Sequence, residues 1–298
     1  MSKSLNSAIS PFGKNTAVIK GKVYKTYPQP TILPQVALFS AEPCSAQING
    51  TEGYPVPVFV PSRTFFSQQG EDLEIFVDFF KDDLVENGTY VEVGAGNGIE
   101  FSNTLFFHQS LQWKGLLVEA NPTMEYDLLN VRSKDVIVMA AAGEKKGTVP
   151  FLKHGTKWAQ SHRLDTVTEK TSTMLQRNDD GGKNSVIDVP VEPLGDLLER
   201  ANLKYVDFLS IDVEGGELEV LKGMNWDIPV HVVLIECISI DCDTTLQRIE
   251  QTRQILRDNG FVFHKDVGDN EIWHNPEYSR PSDDESNVDT EQTIQVPA

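Results

Sequence analysis

Three cysteines among 298 residues are too few and too scattered for a disulfide framework. Cys44, Cys237 and Cys242 form no CxxC pair, so a zinc site is not expected. Cys237 lies in an apolar run and reads as a small buried hydrophobe. A sparse, odd count suits a reducing compartment, and the expected location is cytoplasmic. Positive charge is scarce as well. Lys and Arg number 26 against 44 Asp and Glu, a formal net charge of −18. Without a strong Lys/Arg cluster such a surface repels polyphosphate, which disfavours nucleic acid as a partner. Long hydrophobic runs are missing: none approaches the roughly 18 apolar residues of a membrane span. The polar N-terminus lacks the apolar stretch of a secretion signal.

What the chain does have is a real core, with a hydrophobic fraction of 39%. Its length suits one sizeable α/β domain with extensions, or two small domains. Residues 1–64 are crowded with prolines (Pro28, Pro30, Pro34, Pro55, Pro57 and Pro61 among them) and read as a partly ordered arm or lid. Such an arm could also carry a homo-oligomer contact. Within it, Ala17–Ile19 and Gln35–Phe39 are short apolar runs of edge-strand or docking type. Residues 65–278 form the main domain, and 279–298, with Ser-Asp-Asp-Glu-Ser, an acidic disordered tail.

Within the main domain, Gly70–Lys81 has helical spacing, with Leu73, Phe76, Val77 and Phe80 on one face. Apolar strand-like runs then alternate with helices. The expected strands are Tyr90–Val93, Gly115–Val118, Val136–Ala140, Val186–Val191, Phe208–Ile211 and Val232–Cys237. The expected helices are Phe101–Gln109, Pro122–Val131, Leu194–Ala201, Glu217–Met224 and Thr244–Asn259. Consecutive apolar residues in several strands point to burial on both faces. This predicts an α/β fold: a Rossmann-like, mostly parallel sheet with helices on both faces. Phe261–Lys265 and Glu271–His274 close it as an antiparallel hairpin. Thr156–Asn184 is too long and polar for a plain connection and reads as a mobile loop or a lid.

Carboxylates recur where strands end. Glu92-x-Gly94-x-Gly96-x-Gly98 follows the first strand, and glycines there allow a sharp turn and close approach of a ligand to the main chain. The spacing is GxGxG, with an acid two residues upstream, and not the GxGxxG of dinucleotide sites. A helix directly after it would offer free N–H groups to a carboxylate. Glu119, 21 residues beyond Gly98, ends the second strand, where an acid can accept both hydroxyls of a ribose. Asp212, Glu214 and Glu217 follow another apolar strand, and Glu236 ends the next. Such acids could bind a divalent cation, orient a hydroxyl or act as a base.

Five blocks, in order, resemble the FkbM-type S-adenosylmethionine-dependent methyltransferases. They are Ser67-Gln-Gln-Gly-Glu-Asp72, Val91–Gly98, Phe101-Ser-Asn-Thr-Leu105, Trp113–Pro122 and Phe208–Glu217. The resemblance spans about residues 65–275 and implies a class I methyltransferase fold acting on a hydroxyl of a small molecule or sugar. By position it implies that Glu92, Gly94, Gly96 and Gly98 line the amino-acid end of the cofactor, with Ser102 and Asn103 approaching from the next helix. It places Glu119 on the ribose, Ala120 and Asn121 beside the adenosine, Ala141 beside adenine, and Ser67 and Gln68 over the pocket. Asp212 is counted with this cofactor set. Many members have Asp where this chain has Glu92, and residues 1–60 match nothing in the pattern.

Methyl transfer requires alignment, a water-poor site and sometimes a base. Asp212 is the first candidate base, with Glu214 beside it. His162, in the 156–184 loop, is the second. His108, after Phe106-Phe107, reads as structural. Asp212, Glu214, Glu236 and Asp241 offer hard oxygen ligands for Mg²⁺. Two other readings stand beside this one: a non-catalytic binding or scaffold protein that kept the fold, and a nicotinamide dehydrogenase, which the glycine spacing disfavours.

Overall fold

The computed structural model describes residues 65–155, 158–167, 184–237 and 244–281, with the backbone of four short strands before residue 60. Those four pair antiparallel in twos, Thr16–Ile19 with Lys22–Lys25 and Ala37–Leu38 with Val58–Phe59. The rest of 1–64, most of 156–184, Asp241, Cys242 and the expected tail beyond Pro281 lie outside the described residues.

Seven strands make the main sheet. β1 (Thr89–Val93), β2 (Lys114–Glu119), β3 (Val136–Met139), β4 (Val206–Ile211) and β5 (Val230–Glu236) run parallel. β6 (Val262–Val267) and β7 (Asn270–His274) form the closing hairpin, β7 antiparallel to β5. The order is β3-β2-β1-β4-β5-β7-β6. The chain therefore reverses its direction of growth between β1 and β4. In an open α/β sheet, the crevice at the carboxyl ends beside that reversal is where ligands bind.

The strand period of two sends alternate side chains to two cores. Val91, Val93, Leu209, Ile211, Val233 and Ile235 pack on one face, against α4 (Leu194–Arg200) and α5 (Glu217–Lys222). α6 (Thr244–Asp258) adds Leu256 there. Tyr90, Leu117, Phe208, Val232 and Leu234 pack on the other face. That face meets α1 (Glu71–Ile75), which continues as a π-helical turn over Phe76–Phe80, and α2 (Leu105–Ser110). α3 (Glu125–Val131) follows a 3₁₀ turn at Pro122–Met124 and leads into β3. Among the described residues no helix is long and apolar enough to cross a membrane.

Two expectations are corrected. Residues 185–192 are a strand, but not of the parallel sheet. They pair antiparallel with Gly147–Lys153 in a separate four-stranded sheet that also holds Ala141–Ala142 and His162–Arg163. The reason is a one-sided pattern: Val189 and Val191 are buried while Val186 is 57% exposed. The helix after the glycine motif begins at Leu105, not Phe101. Phe101 takes φ 65, outside helical backbone, and Ser102 Oγ accepts from the N–H groups of Thr104 and Leu105 at 3.3 and 3.1 Å. The helix terminus is thus satisfied locally and offers those N–H groups to no ligand.

Asp72 ties the entry segment to α1. Its carboxylate accepts from Phe66 N at 2.7 Å, Ser67 N at 3.3 Å and Ser67 Oγ at 2.5 Å, with no exposure to solvent. Burial pushes its pKa up to about 7; the Ser67 and Phe66 hydrogen bonds only partly oppose it, and neighbouring Glu71 adds to the rise. The folded value lies above the unfolded one, so between about pH 4 and pH 7 the folded chain holds a proton the unfolded chain has released. Stability from this group is full below that window and is lost as pH rises through it. Thermal midpoints measured from pH 4 to pH 8 should therefore fall less steeply in Asp72→Asn than in the wild type.

Candidate functional site

Two adjoining clefts open at the carboxyl ends of β1, β2 and β4. The first, about 540 Å³, is walled by Gly94, Gly96, Glu119, Ala120, Ala141 and Asp212, with Phe151 and Arg163 from the smaller sheet. The second, about 480 Å³, is walled by Gln68, Glu92, Ser102, Asn103, Ser210 and Glu214. Val93, Gly94, Ala159, Asp212 and Glu214 belong to both, so the clefts are continuous.

The floor is the glycine turn. Gly94 has φ 91, and a Cβ there would stand 1.8 Å from the Asp212 carbonyl oxygen. Only glycine lets the β1 turn lie this close to the end of β4. The turn is also bonded to both neighbours: Gly94 N donates to Val118 O at 2.9 Å, and Asp212 N to Val93 O at 3.0 Å.

The carboxylates differ in how far they are already satisfied. Glu92 is buried and accepts from Ser102 Oγ at 2.9 Å, Asn103 N at 2.7 Å and Thr104 Oγ1 at 2.6 Å. It therefore holds its own loop in place. Burial raises its pKa against the opposing pull of Arg132. Glu119 accepts from Gly96 N at 2.7 Å and Asn121 N at 2.6 Å; burial raises its pKa. The Ala120 N–H also bonds this carboxylate, so three backbone donors hold it at the end of β2. Asn121 Oδ1 caps the 3₁₀ turn, accepting from Thr123 N and Oγ1, while its buried Nδ2 has no partner among the described residues. Glu217 turns back on its own helix and accepts from Val213 N and Gly215 N at 3.2 and 3.0 Å.

Asp212, Glu214 and Glu236 are brought together, each offering an oxygen within 4.8 Å of the others. Burial, then the charges of Glu217 and Glu71, push Asp212 up to about 7. Glu214 and Glu236 are raised in the same direction, again by burial first and then by neighbouring acids.

His162 is not brought to the clefts. It is a fully buried strand residue in the smaller sheet, with Nδ1 2.9 Å from Gln160 O, and burial lowers its pKa. Strand alternation explains this: Ser161 and Arg163 face the first cleft, and the histidine between them faces away. Ser67 lines neither cleft, since its hydroxyl serves Asp72, whereas Gln68 lines the second. Gly98 also stands off the cleft walls, against Arg132 and Leu128. Ser102 and Asn103 approach from a loop, not a helix.

Sequence reasoning missed the two arginines. Arg163 donates to Ala142 O at 3.0 Å and grips Asp165 through two hydrogen bonds of 3.0 and 2.8 Å. Arg132, fully buried just after α3, donates to Asp135 at 2.9 Å, Gly98 O at 3.2 Å, Ser102 Oγ at 3.2 Å and Thr104 Oγ1 at 2.8 Å. Glu92 lies 3.8 Å from it. Asp135 in turn accepts from Tyr90 OH at 2.7 Å, and His108 Nδ1 lies 3.0 Å from that hydroxyl.

Comparison with known proteins finds a family model, described as a methyltransferase FkbM domain, matching residues 92–263. "Methyltransferase 1" of Beauveria bassiana (strain ARSEF 2860) is 44% identical over 57 residues, which cover 18% of this chain and 23% of that relative. The match thus spans under a quarter of the relative's length. A solved methyltransferase from Pyrococcus furiosus aligns over 68% of this chain and 82% of its own, at 12% identity and a TM-score of 0.31.

Removing the Arg132 charge strands Glu92 and Asp135 in the interior. Arg132→Leu should lower unfolding free energy in urea by about 3–5 kcal/mol, the usual cost of breaking a buried ion pair from one side. Arg132→Lys should recover only part of it, because an ammonium cannot span the same four acceptors.

Proposed function

The chain belongs to the FkbM methyltransferase family, and from that premise we propose that it methylates a hydroxyl of a small molecule or sugar with S-adenosylmethionine as donor. The observation that carries the reading is the continuous cleft at the β1/β4 reversal, with Glu119 at one end and the carboxyl groups of Asp212 and Glu214 at the other. The lining fits the donor. Glu119 would take the ribose hydroxyls, Ala120 and Ala141 would border the adenine side, and the turn at Gly94–Gly96 lets a ligand lie against the backbone. Gln68, Ser102 and Asn103 offer polar atoms to the amino-acid end. When bound, S-adenosylmethionine supplies a methyl group on a sulfonium, activated without help from a protein nucleophile.

What remains for the protein is alignment and the acceptor's proton. Asp212 lies in both clefts. It is the residue placed to receive a hydroxyl and take its proton, with Glu214 alongside. Arg163, paired with Asp165, supports the wall of the first cleft, and no arginine or lysine is among the groups that bear most on Asp212 and Glu214.

Calorimetric titration of the folded, cofactor-free protein with S-adenosylmethionine should show saturable binding, weakened about 10–100-fold in Glu119→Ala. Absence of binding to the wild type contradicts the reading. Release of S-adenosylhomocysteine over a panel of hydroxylated acceptors should fall about 10²–10⁴-fold in Asp212→Asn. Binding without turnover on any neutral acceptor would instead favour a scaffold that kept the fold.

A further inference from the structure

Glu236 lines neither cleft, yet its carboxylate joins those of Asp212 and Glu214 within 4.8 Å. Two oxygens on one divalent cation, at about 2.1–2.4 Å each, stand at most about 4.8 Å apart, so this spread fits a single ion. Glu214 is held there at φ 57, a left-handed backbone setting that side chains disfavour. The charges that bear most on Asp212, those of Glu217 and Glu71, share its sign.

A second observation does not depend on these acids. Asn270 stands directly opposite Glu236 in the antiparallel β5–β7 pair. The two side chains therefore share a face, with Cβ atoms about 5 Å apart. Asn270 is 6% exposed. Its Nδ2 donates to Glu71 Oε1 at 3.0 Å, and its buried Oδ1 has no hydrogen-bond partner among the described residues. A buried amide oxygen is normally paired. Carboxylates with one amide oxygen are a donor set that hard divalent cations take.

We propose that Asp212, Glu214, Glu236 and the amide oxygen of Asn270 form a site for a hard divalent cation of the Mg²⁺ or Mn²⁺ class, which accepts the acceptor's hydroxyl oxygen as a further ligand. The role at the hydroxyl rests on the methyl-transfer reading; the binding of the ion does not. A hydroxyl on such an ion gives up its proton more readily.

Titration of the full-length, cofactor-free protein with Mn²⁺, followed by loss of the free-ion electron paramagnetic resonance signal, tests this. One saturable ion per chain is expected, displaced by Mg²⁺ and bound at least about tenfold more weakly by Glu236→Gln and by Asn270→Leu. S-adenosylmethionine should bind Glu236→Gln as it binds the wild type. No saturable Mn²⁺ binding, or equal binding by wild type and both variants, overturns the proposal. If those variants do not fold, Asn270→Asp decides. A further carboxylate should tighten Mn²⁺ binding, and unchanged or weaker binding overturns the proposal. Mn²⁺ binding without S-adenosylmethionine binding in the wild type would strike the methyl-transfer reading and leave the cation site standing.

Discussion

The arrangement of the cleft depends on one buried guanidinium. Arg132 lies beyond the end of α3, yet its donors reach Gly98, Ser102 and Thr104, across the loop that follows the glycine turn. Its charge sits between Glu92 on β1 and Asp135 at the entrance to β3. A buried ion pair of this kind adds little net stability compared with an apolar core; what it fixes is geometry. Here it fixes the path of residues 98–104, which no regular element holds, and so the wall of the second cleft.

Four strands deliver acids to one edge of the sheet, and their surroundings give those acids different tasks. Glu92 has hydrogen bonds to both oxygens from its own loop and is structural. Glu217 caps the helix it begins. Glu119 is held by backbone N–H groups alone, those of Gly96, Ala120 and Asn121, and lines the first cleft. Asp212, Glu214 and Glu236 face one another with no arginine or lysine among the groups that bear most on them. Residue type is therefore a poor guide to role at this edge; the count of local donors is a better one.

Much of the fold was legible because the parallel strands are buried on both faces and read as consecutive apolar residues. β1, β4 and β5 are of this kind, and the hairpin β6–β7 announces itself by its turn at Gly268 and Asp269. Residues 185–192 misled because Val186-Ile-Asp-Val-Pro-Val resembles such a strand in composition while its burial alternates. The early helix start misled because Phe101-Ser-Asn-Thr-Leu carries no breaker, and the bonds to Glu92 and Arg132 hold it in a loop. In the site, Glu119, Gly94, Gly96 and Asp212 could be named because each follows an apolar strand. Arg132 could not, since one arginine at the end of an amphipathic helix looks like a solvated side chain. His162 could not be excluded either, because the face a two-residue strand presents is set by its neighbours in the smaller sheet.

We propose the reversal between β1 and β4 as the donor pocket, with Glu119 as its ribose anchor and Asp212 facing the transferred group. A crystal structure of the full chain with S-adenosylhomocysteine measures this directly. The account predicts the Glu119 carboxylate on both ribose hydroxyls, the amino-acid end beside Gly94 and Asn103, and the thioether sulfur facing Asp212. A nucleoside bound anywhere other than this cleft, or one held there with Glu119 turned away from its ribose, would contradict it.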